Sequence, residues 1–161
     1  MSDTLPYKIA VLCDLRDAEG RVLMLHRAKD PNKGLYSPIG GKLETAIGES
    51  PAQCAQREIF EEAGIKVSLD RLRLVLMVSE RAYENKTHWL MFVYRVEGPV
   101  EVAEQDMDEG RLSWFSPEDV EDLPRPETDA MFIWPRLRDG GSEFVSMHID
   151  CRVSPPLCTI E

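Results

Sequence analysis

The chain has 161 residues, 43% of them hydrophobic and 30% charged, which fits one folded domain with a real core and excludes a disordered or fibrous chain. Twenty-nine acidic residues against nineteen basic ones give a net charge of -10. Such a surface repels a nucleic-acid backbone and excludes a non-specific DNA or RNA binder, while a small polyphosphate stays accessible because a divalent cation can stand between carboxylates and phosphates.

The longest apolar run, Trp89 to Tyr94, is too short for a membrane span, so no membrane partner is expected. No basic stretch followed by an apolar one opens the chain, and no secretory leader is expected. Cys13, Cys54, Cys151 and Cys158 show neither CxxC nor Cys/His spacing, which points away from structural zinc and disulfides and toward the cytoplasm.

In chain order, Tyr7 to Leu15 and Arg21 to His26 read as strands around a hairpin turn at Arg16–Gly20. Pro31 to Gly34 mark a loop, followed by a short strand Leu35 to Ile39 and the pair Gly40-Gly41. A helix is expected over Ser50 to Ala63, strands over Leu72 to Ser79, Thr87 to Val96 and Leu112 to Phe115, helices over Pro117 to Asp122 and Pro126 to Leu137, and a last strand near Phe144 to Cys151. Residues 152–161 read as an irregular tail. Interleaved helices and strands with hairpin signals predict a single α/β domain over residues 1–161, with a mixed, partly antiparallel sheet between helices.

The first helix carries the chemistry. Ser50 caps it, Pro51 suits its first turn, Gln53 completes a capping box, and Gly64 supplies the stop. Ala52, Ala55, Ile59 and Ala63 form one apolar stripe. Glu58, Glu61 and Glu62 share another face, turned away from it. Glu58 and Glu62 repel at i,i+4, and both lie in the half of the helix where the macrodipole disfavours anions. Two readings follow: a solvated surface helix with Arg57 paired to Glu61, or a carboxylate cluster that awaits a cation. The preceding Gly40-Gly41, whose carbonyls can approach the carboxylates, favours the second, and such hard oxygen donors suit Mg²⁺ or Mn²⁺ rather than zinc.

Gly41-Lys42-Leu43-Glu44, Gly48-Glu49 and Arg57-Glu58-Ile59-Phe60-Glu61-Glu62-Ala63-Gly64-Ile65 resemble the Nudix box, G-x5-E-x7-R-E-U-x-E-E-x-G-U with U aliphatic. From Glu49 onward the match is complete. Seven residues rather than five separate Gly41 from Glu49, which reads as a two-residue insertion (Thr45-Ala46) in a loop that accepts it at small entropic cost. The resemblance extends to the strands before the box and to Glu109–Phe115 after it. It implies a Nudix-type α/β/α sandwich and metal-dependent hydrolysis of a pyrophosphate bond in a nucleoside diphosphate linked to some group X, by a monomer or homodimer.

The same resemblance implies roles. Glu58, Glu61 and Glu62 are metal ligands, with a Gly40 or Gly41 carbonyl completing the shell; Glu58 or Glu62 doubles as general base, which the sequence does not separate. Arg57 orients Glu58 and pairs with Glu49, a supporting rather than ligating residue. Glu109 is a further carboxylate from outside the box, set in a stretch (Glu101, Glu104, Asp106, Asp108) that otherwise reads as a solvated loop. Arg27 and Lys42 meet substrate phosphates, and Tyr83 stands near where dinucleoside polyphosphate hydrolases carry a tyrosine. The proline of ADP-ribose enzymes is absent. The compact domain is most similar to MutT-type enzymes that cleave nucleoside triphosphates, oxidised ones included, to monophosphate and pyrophosphate. Alternatives are a dinucleoside polyphosphate or nucleotide-sugar hydrolase, a non-catalytic nucleotide sensor, and a scaffold with an incidental acidic helix.

Overall fold

The computed structural model describes residues 4–141 and 143–161. Ten strands run β1 (Tyr7–Asp14), β2 (Val22–Arg27), β3 (Tyr36–Ser37), β4 (Ile39–Lys42), β5 (Leu72–Tyr83), β6 (Thr87–Val96), β7 (Gln105–Met107), β8 (Gly110–Phe115), β9 (Val145–Asp150) and β10 (Leu157–Ile160). The helices are α1 (Pro51–Ala63), α2 (Pro117–Val120) and α3 (Trp134–Leu137). One sheet has the order β10-β9-β5-β6-β1-β4 and a second the order β3-β2-β8-β7. The larger is mixed: β1 runs parallel to β6 and β5 parallel to β9, while the other neighbours are antiparallel.

Strand alternation divides the core into two layers. Val11 and Cys13 of β1, Leu23 and Leu25 of β2 and Tyr94 and Val96 of β6 pack with Cys54, Ala55, Ile59 and Ala63 of α1. The intervening Leu12, Val22, Met24 and Val93 pack with Ile133, Trp134 and Leu137. Helical segments therefore cover opposite faces, the expected α/β/α arrangement. Among the described residues no helix is long and apolar enough to cross a membrane.

Four expectations need correction. Leu35 to Ile39 is not one strand: Pro38, which has no N–H for a ladder, separates β3 from β4, and the two enter different sheets. Part of the acidic stretch is not a loop, because β7 pairs with β8 from Gln105 to Met107. The helix expected over Pro126 to Leu137 starts where expected, with residues 127–128 helical and the Ala130 N–H donating to the Pro126 carbonyl at 2.9 Å, but its middle is a π-helical turn over Asp129–Ile133 leading into α3; Pro135 lacks the N–H that an α-turn would send back to Met131. The tail is not irregular throughout, since β10 pairs antiparallel with β9. Backbone pairing across the sheet orders a segment whose two prolines hide it locally.

Candidate active site

α1 is built as its caps dictate. The Ser50 side chain accepts from the Gln53 N–H at 3.1 Å, Gln53 Oε1 accepts from the Ser50 N–H at 2.9 Å, and Gly64 closes the helix with φ 73°. The helix packs on β4 and β1, so its last two turns lie beside the Gly40-Gly41 bend. A Cβ on Gly41 would collide with the Glu58 carboxylate, and one on Gly40 with the Val11 carbonyl. The paired glycines are what permits this approach.

The three glutamates do not share one environment. Glu62 is buried at 8% exposure and its Oε2 accepts from the Gly40 N–H at 3.2 Å. The Glu58 side chain is 12% exposed and the Glu61 side chain 54%. The face expected to turn away from the apolar stripe is thus partly buried, because β4 reaches over it. Of the diglycine, it is the Gly40 N–H that meets a glutamate, while the Gly41 carbonyl accepts from the Cys54 thiol at 3.8 Å.

Arg57 ties the cluster together. Its Nε and Nη2 donate to the two Glu49 oxygens at 2.7 and 2.9 Å, and its Nη1 to Glu58 at 2.8 Å and Glu61 at 3.2 Å. Fork-to-fork pairing of this kind fixes both partners. Glu49 in turn accepts from the Glu44 N–H at 3.1 Å. The longer Gly41–Glu49 spacing is taken up by a 3-10 turn at Thr45–Ile47 ending on Gly48 at φ 67°, which leaves this pairing intact.

The electrostatics follow from these contacts. Hydrogen bonds from Arg57 hold the Glu49 carboxyl down at about 2. Burial pushes Glu62 up to about 8, the charge of Glu58 adding to the rise and the Gly40 N–H and Arg27 opposing it. Burial also raises Glu58, against the pull of Arg57. A divalent cation beside these groups would reverse the direction for both.

Glu58, Glu61 and Glu62 open onto a cleft of about 670 Å³, within the range of small-molecule sites. Arg27, Lys42 and Glu109 line the same cleft. Arg27 Nε donates to the Pro31 carbonyl at 2.6 Å, and Glu109 lies 3.6 Å from Lys29. Tyr83 forms part of the wall, its hydroxyl donating to Asn32 Oδ1 at 2.8 Å. Nearby, Tyr36 stacks on His26 with centroids 4.4 Å apart.

The donor set fits a hard divalent cation: carboxylate oxygens and a close-approaching backbone with no Cβ in the way. Among the described residues, however, no three Asp, Glu, His or Cys side chains stand at metal-binding spacing; Arg57 and the Gly40 N–H engage the glutamates. Sequence reasoning missed the far end of the cleft, where Glu80, Thr128 and Asp129 contribute to the lining. One signal was available: Glu80 occupies an inward slot of β5 after Leu76 and Val78, which are buried. Asp129 carried none, since Thr128-Asp129 reads as an ordinary helix start.

The NUDIX domain model matches residues 6–134. Diphosphoinositol polyphosphate phosphohydrolase 3-alpha of Mus musculus is 34% identical over 114 residues, 70% of this chain and 65% of its own length; the match thus spans just under two thirds of that relative. A MutT-like protein of Streptomyces ambofaciens is 31% identical over 103 residues, 63% of this chain and 59% of its own. The mutator MutT protein of Bacillus halodurans superposes with a TM-score of 0.75 at 23% identity, over 96% of this chain and 97% of that one, a likeness of fold. A MutT Nudix hydrolase of Burkholderia pseudomallei superposes at 0.61 with 28% identity, over 81% of this chain and 98% of that one. With the box helix docked on its glycine bend and most of the chain matched by the family model, this protein belongs to the Nudix family.

Proposed function

We propose that the protein is a pyrophosphohydrolase acting on phosphoric anhydrides, and that its substrate is a nucleoside triphosphate, oxidised ones included, cleaved to monophosphate and pyrophosphate. The observation that carries this reading is the pair of buried carboxylates, Glu58 and Glu62, set against a glycine bend at one end of a cleft that also presents Arg27. A polyphosphate is protected from water by its own charge, and this end of the cleft has the groups to remove that protection.

Glu58 and Glu62, with Glu61 once it leaves Arg57, would hold Mg²⁺ or Mn²⁺, which neutralises phosphate charge and acidifies an attacking water. Arg27 and Lys42 bind phosphate oxygens from the opposite wall and rim. Arg57 and Glu49 keep Glu58 in place and do not touch substrate. Glu62 Oε1, which accepts no hydrogen bond among the described residues, takes the proton of the attacking water. Glu109 is the carboxylate that reaches the same space from the β7–β8 turn.

Phosphate and pyrophosphate release from a nucleotide panel with Mg²⁺ or Mn²⁺ tests the reading. Glu62→Gln, isosteric and still able to meet Gly40, should fold normally and lose turnover by at least a hundredfold, roughly the contribution of a positioned general base. Undiminished turnover in that variant refutes the assignment. Nucleotide binding without release in the wild type would identify a sensor module instead.

A further inference from the structure

Tyr83 reaches the cleft through a detour in the backbone. Alternation sends Leu76, Val78 and Glu80 of β5 inward, and continued unchanged it would turn Tyr83 to the opposite face. Instead Arg81 and Ala82 stand against the single residue His88 of β6, because the pairing passes from Glu80–Trp89 to Tyr83–Thr87. Ala82 takes φ 55°, a left-handed conformation that alanine adopts only at a cost, and its N–H donates to His88 Nδ1 at 2.9 Å. A bulge of this kind re-aims the side chain that follows it, so that Glu80 and Tyr83 both line the cleft. The re-aimed side chain meets the loop after β2. Its hydroxyl donates to Asn32 Oδ1 at 2.8 Å, and burial, with the charge of Glu80 adding to it, raises that hydroxyl to about 12, which keeps it a donor at neutral pH. Asn32 is held at φ 63° and its carbonyl accepts from the Leu35 N–H at 3.0 Å. One residue earlier, the Pro31 carbonyl accepts from Arg27 Nε at 2.6 Å. The Arg27 backbone closes the same loop, its N–H donating to the Leu35 carbonyl at 2.9 Å and its carbonyl accepting from the Gly34 N–H at 2.8 Å. Arg27 lines the cleft, and its Nη1 and Nη2 make no hydrogen bond among the described residues.

We propose that Tyr83 is a positioning residue, whose hydroxyl, through Asn32 and the Pro31 carbonyl, fixes the Arg27 guanidinium where it receives a substrate phosphate. This rests on the hydrolase reading of the cleft and deepens it. An arginine is long and rich in rotamers, and ordering it at the moment of binding weakens the ligand. Here Nε is occupied in advance by a loop carbonyl, which leaves the two terminal nitrogens of a planar fork for phosphate oxygens. The loop that offers this carbonyl is tied back to β5 by the Tyr83 hydroxyl, and the strained bulge at Ala82 is what brings that hydroxyl within reach. Strain held beside a binding cleft is the mark of a conformation that the surrounding structure enforces. The tyrosine therefore acts through its oxygen, and its ring is not a platform for a base.

Calorimetric titration with methylenediphosphonate and excess Mg²⁺ tests this without turnover, because the probe has no base to stack and no anhydride to cleave. Tyr83→Phe keeps the ring and deletes the hydroxyl; it should weaken the probe about 3- to 10-fold, the worth of one hydrogen bond. Asn32→Gly keeps the left-handed backbone accessible and deletes the acceptor; it should weaken the probe by a similar factor, and it decides if Tyr83→Phe does not fold. Arg27→Lys keeps the charge but has no Nε donor for Pro31, so adding Tyr83→Phe to it should change affinity by less than about 1.5-fold, a coupling that a merely structural tyrosine would not show. The inference is overturned by a folded Tyr83→Phe that binds within about 1.5-fold of wild type, by its full effect persisting beside Arg27→Lys, or by wild-type protein that does not bind the probe at millimolar concentration. A Tyr83→Leu variant that loses affinity for nucleoside monophosphates but not for the probe would assign the ring to stacking and equally overturn it. Failure of phosphate release from nucleotides, with the coupling to Arg27 intact, would support the positioning role and remove the hydrolase reading alone.

Discussion

Arg57→Gln should destabilise the protein by about 2–3 kcal/mol at pH 7. Arg57 gives four charge-assisted bonds to Glu49, Glu58 and Glu61, but Glu61 is half exposed and contributes little. The two bonds to Glu49, whose side chain is 7% exposed, carry the effect. Displacing that carboxyl from 4.5 to about 2 corresponds to an upper bound of about 3 kcal/mol at 1.36 kcal/mol per unit, and partial solvent screening lowers it. The sign follows from linkage: a depressed carboxyl contributes stability that is complete above its unfolded value, near 4.5, and is lost as the pH falls toward 2. The gap between wild type and variant should thus be constant from pH 7 to 5 and narrow to about half by pH 3. Urea unfolding followed by fluorescence of Trp89, Trp114 and Trp134 at pH 7, 5 and 3 measures it. A gap below about 0.5 kcal/mol at pH 7, or one that does not narrow in acid, would mean that this cage of charges is an ordinary surface network.

Three further outcomes are expected. Gly41→Ala should fold, since Gly41 is not at positive φ, but its methyl displaces the Glu58 carboxylate; Mn²⁺ affinity by calorimetry should fall about 10- to 100-fold, and an unchanged affinity would remove Glu58 from the metal site. Burial raises Glu80 to about 7 from an ordinary 4.5, so its contribution is complete below pH 4.5 and lost as the pH rises through 7. Glu80→Gln should consequently be more stable than wild type at pH 8, by up to about 3 kcal/mol, and no more stable at pH 4; chemical denaturation at the two pH values checks this. Asp14, 1% exposed, accepts from Arg16 Nε and Arg95 Nε at 2.8 Å each, and both arginines also donate to the Leu137 carbonyl. Asp14→Asn should cost about 3–5 kcal/mol by leaving two arginines without their anion, and a loss under 1 kcal/mol in urea melts would contradict that.

Local chemistry determined what could be seen in the chain itself. Caps and periodicity place α1 to the residue, because Ser50, Pro51, Gln53 and Gly64 act within one turn of the backbone they satisfy. Alternation places β1, β2, β6 and β9 within a residue or two for the same reason. The spacing of Glu49, Arg57, Glu58, Glu61 and Glu62 matches the Nudix box, and it could be read because those groups lie on one helix and its approach. What the tertiary structure alone decided depends on residues far apart in sequence. Pro38 sends β3 and β4 into different sheets, β10 becomes a strand only against β9, and Glu62 is buried only because β4 crosses it. Glu80 and Asp129 come to line one cleft only where β5 meets the turn before α3. Burial of such groups is a property of a packed environment, and no periodicity encodes it.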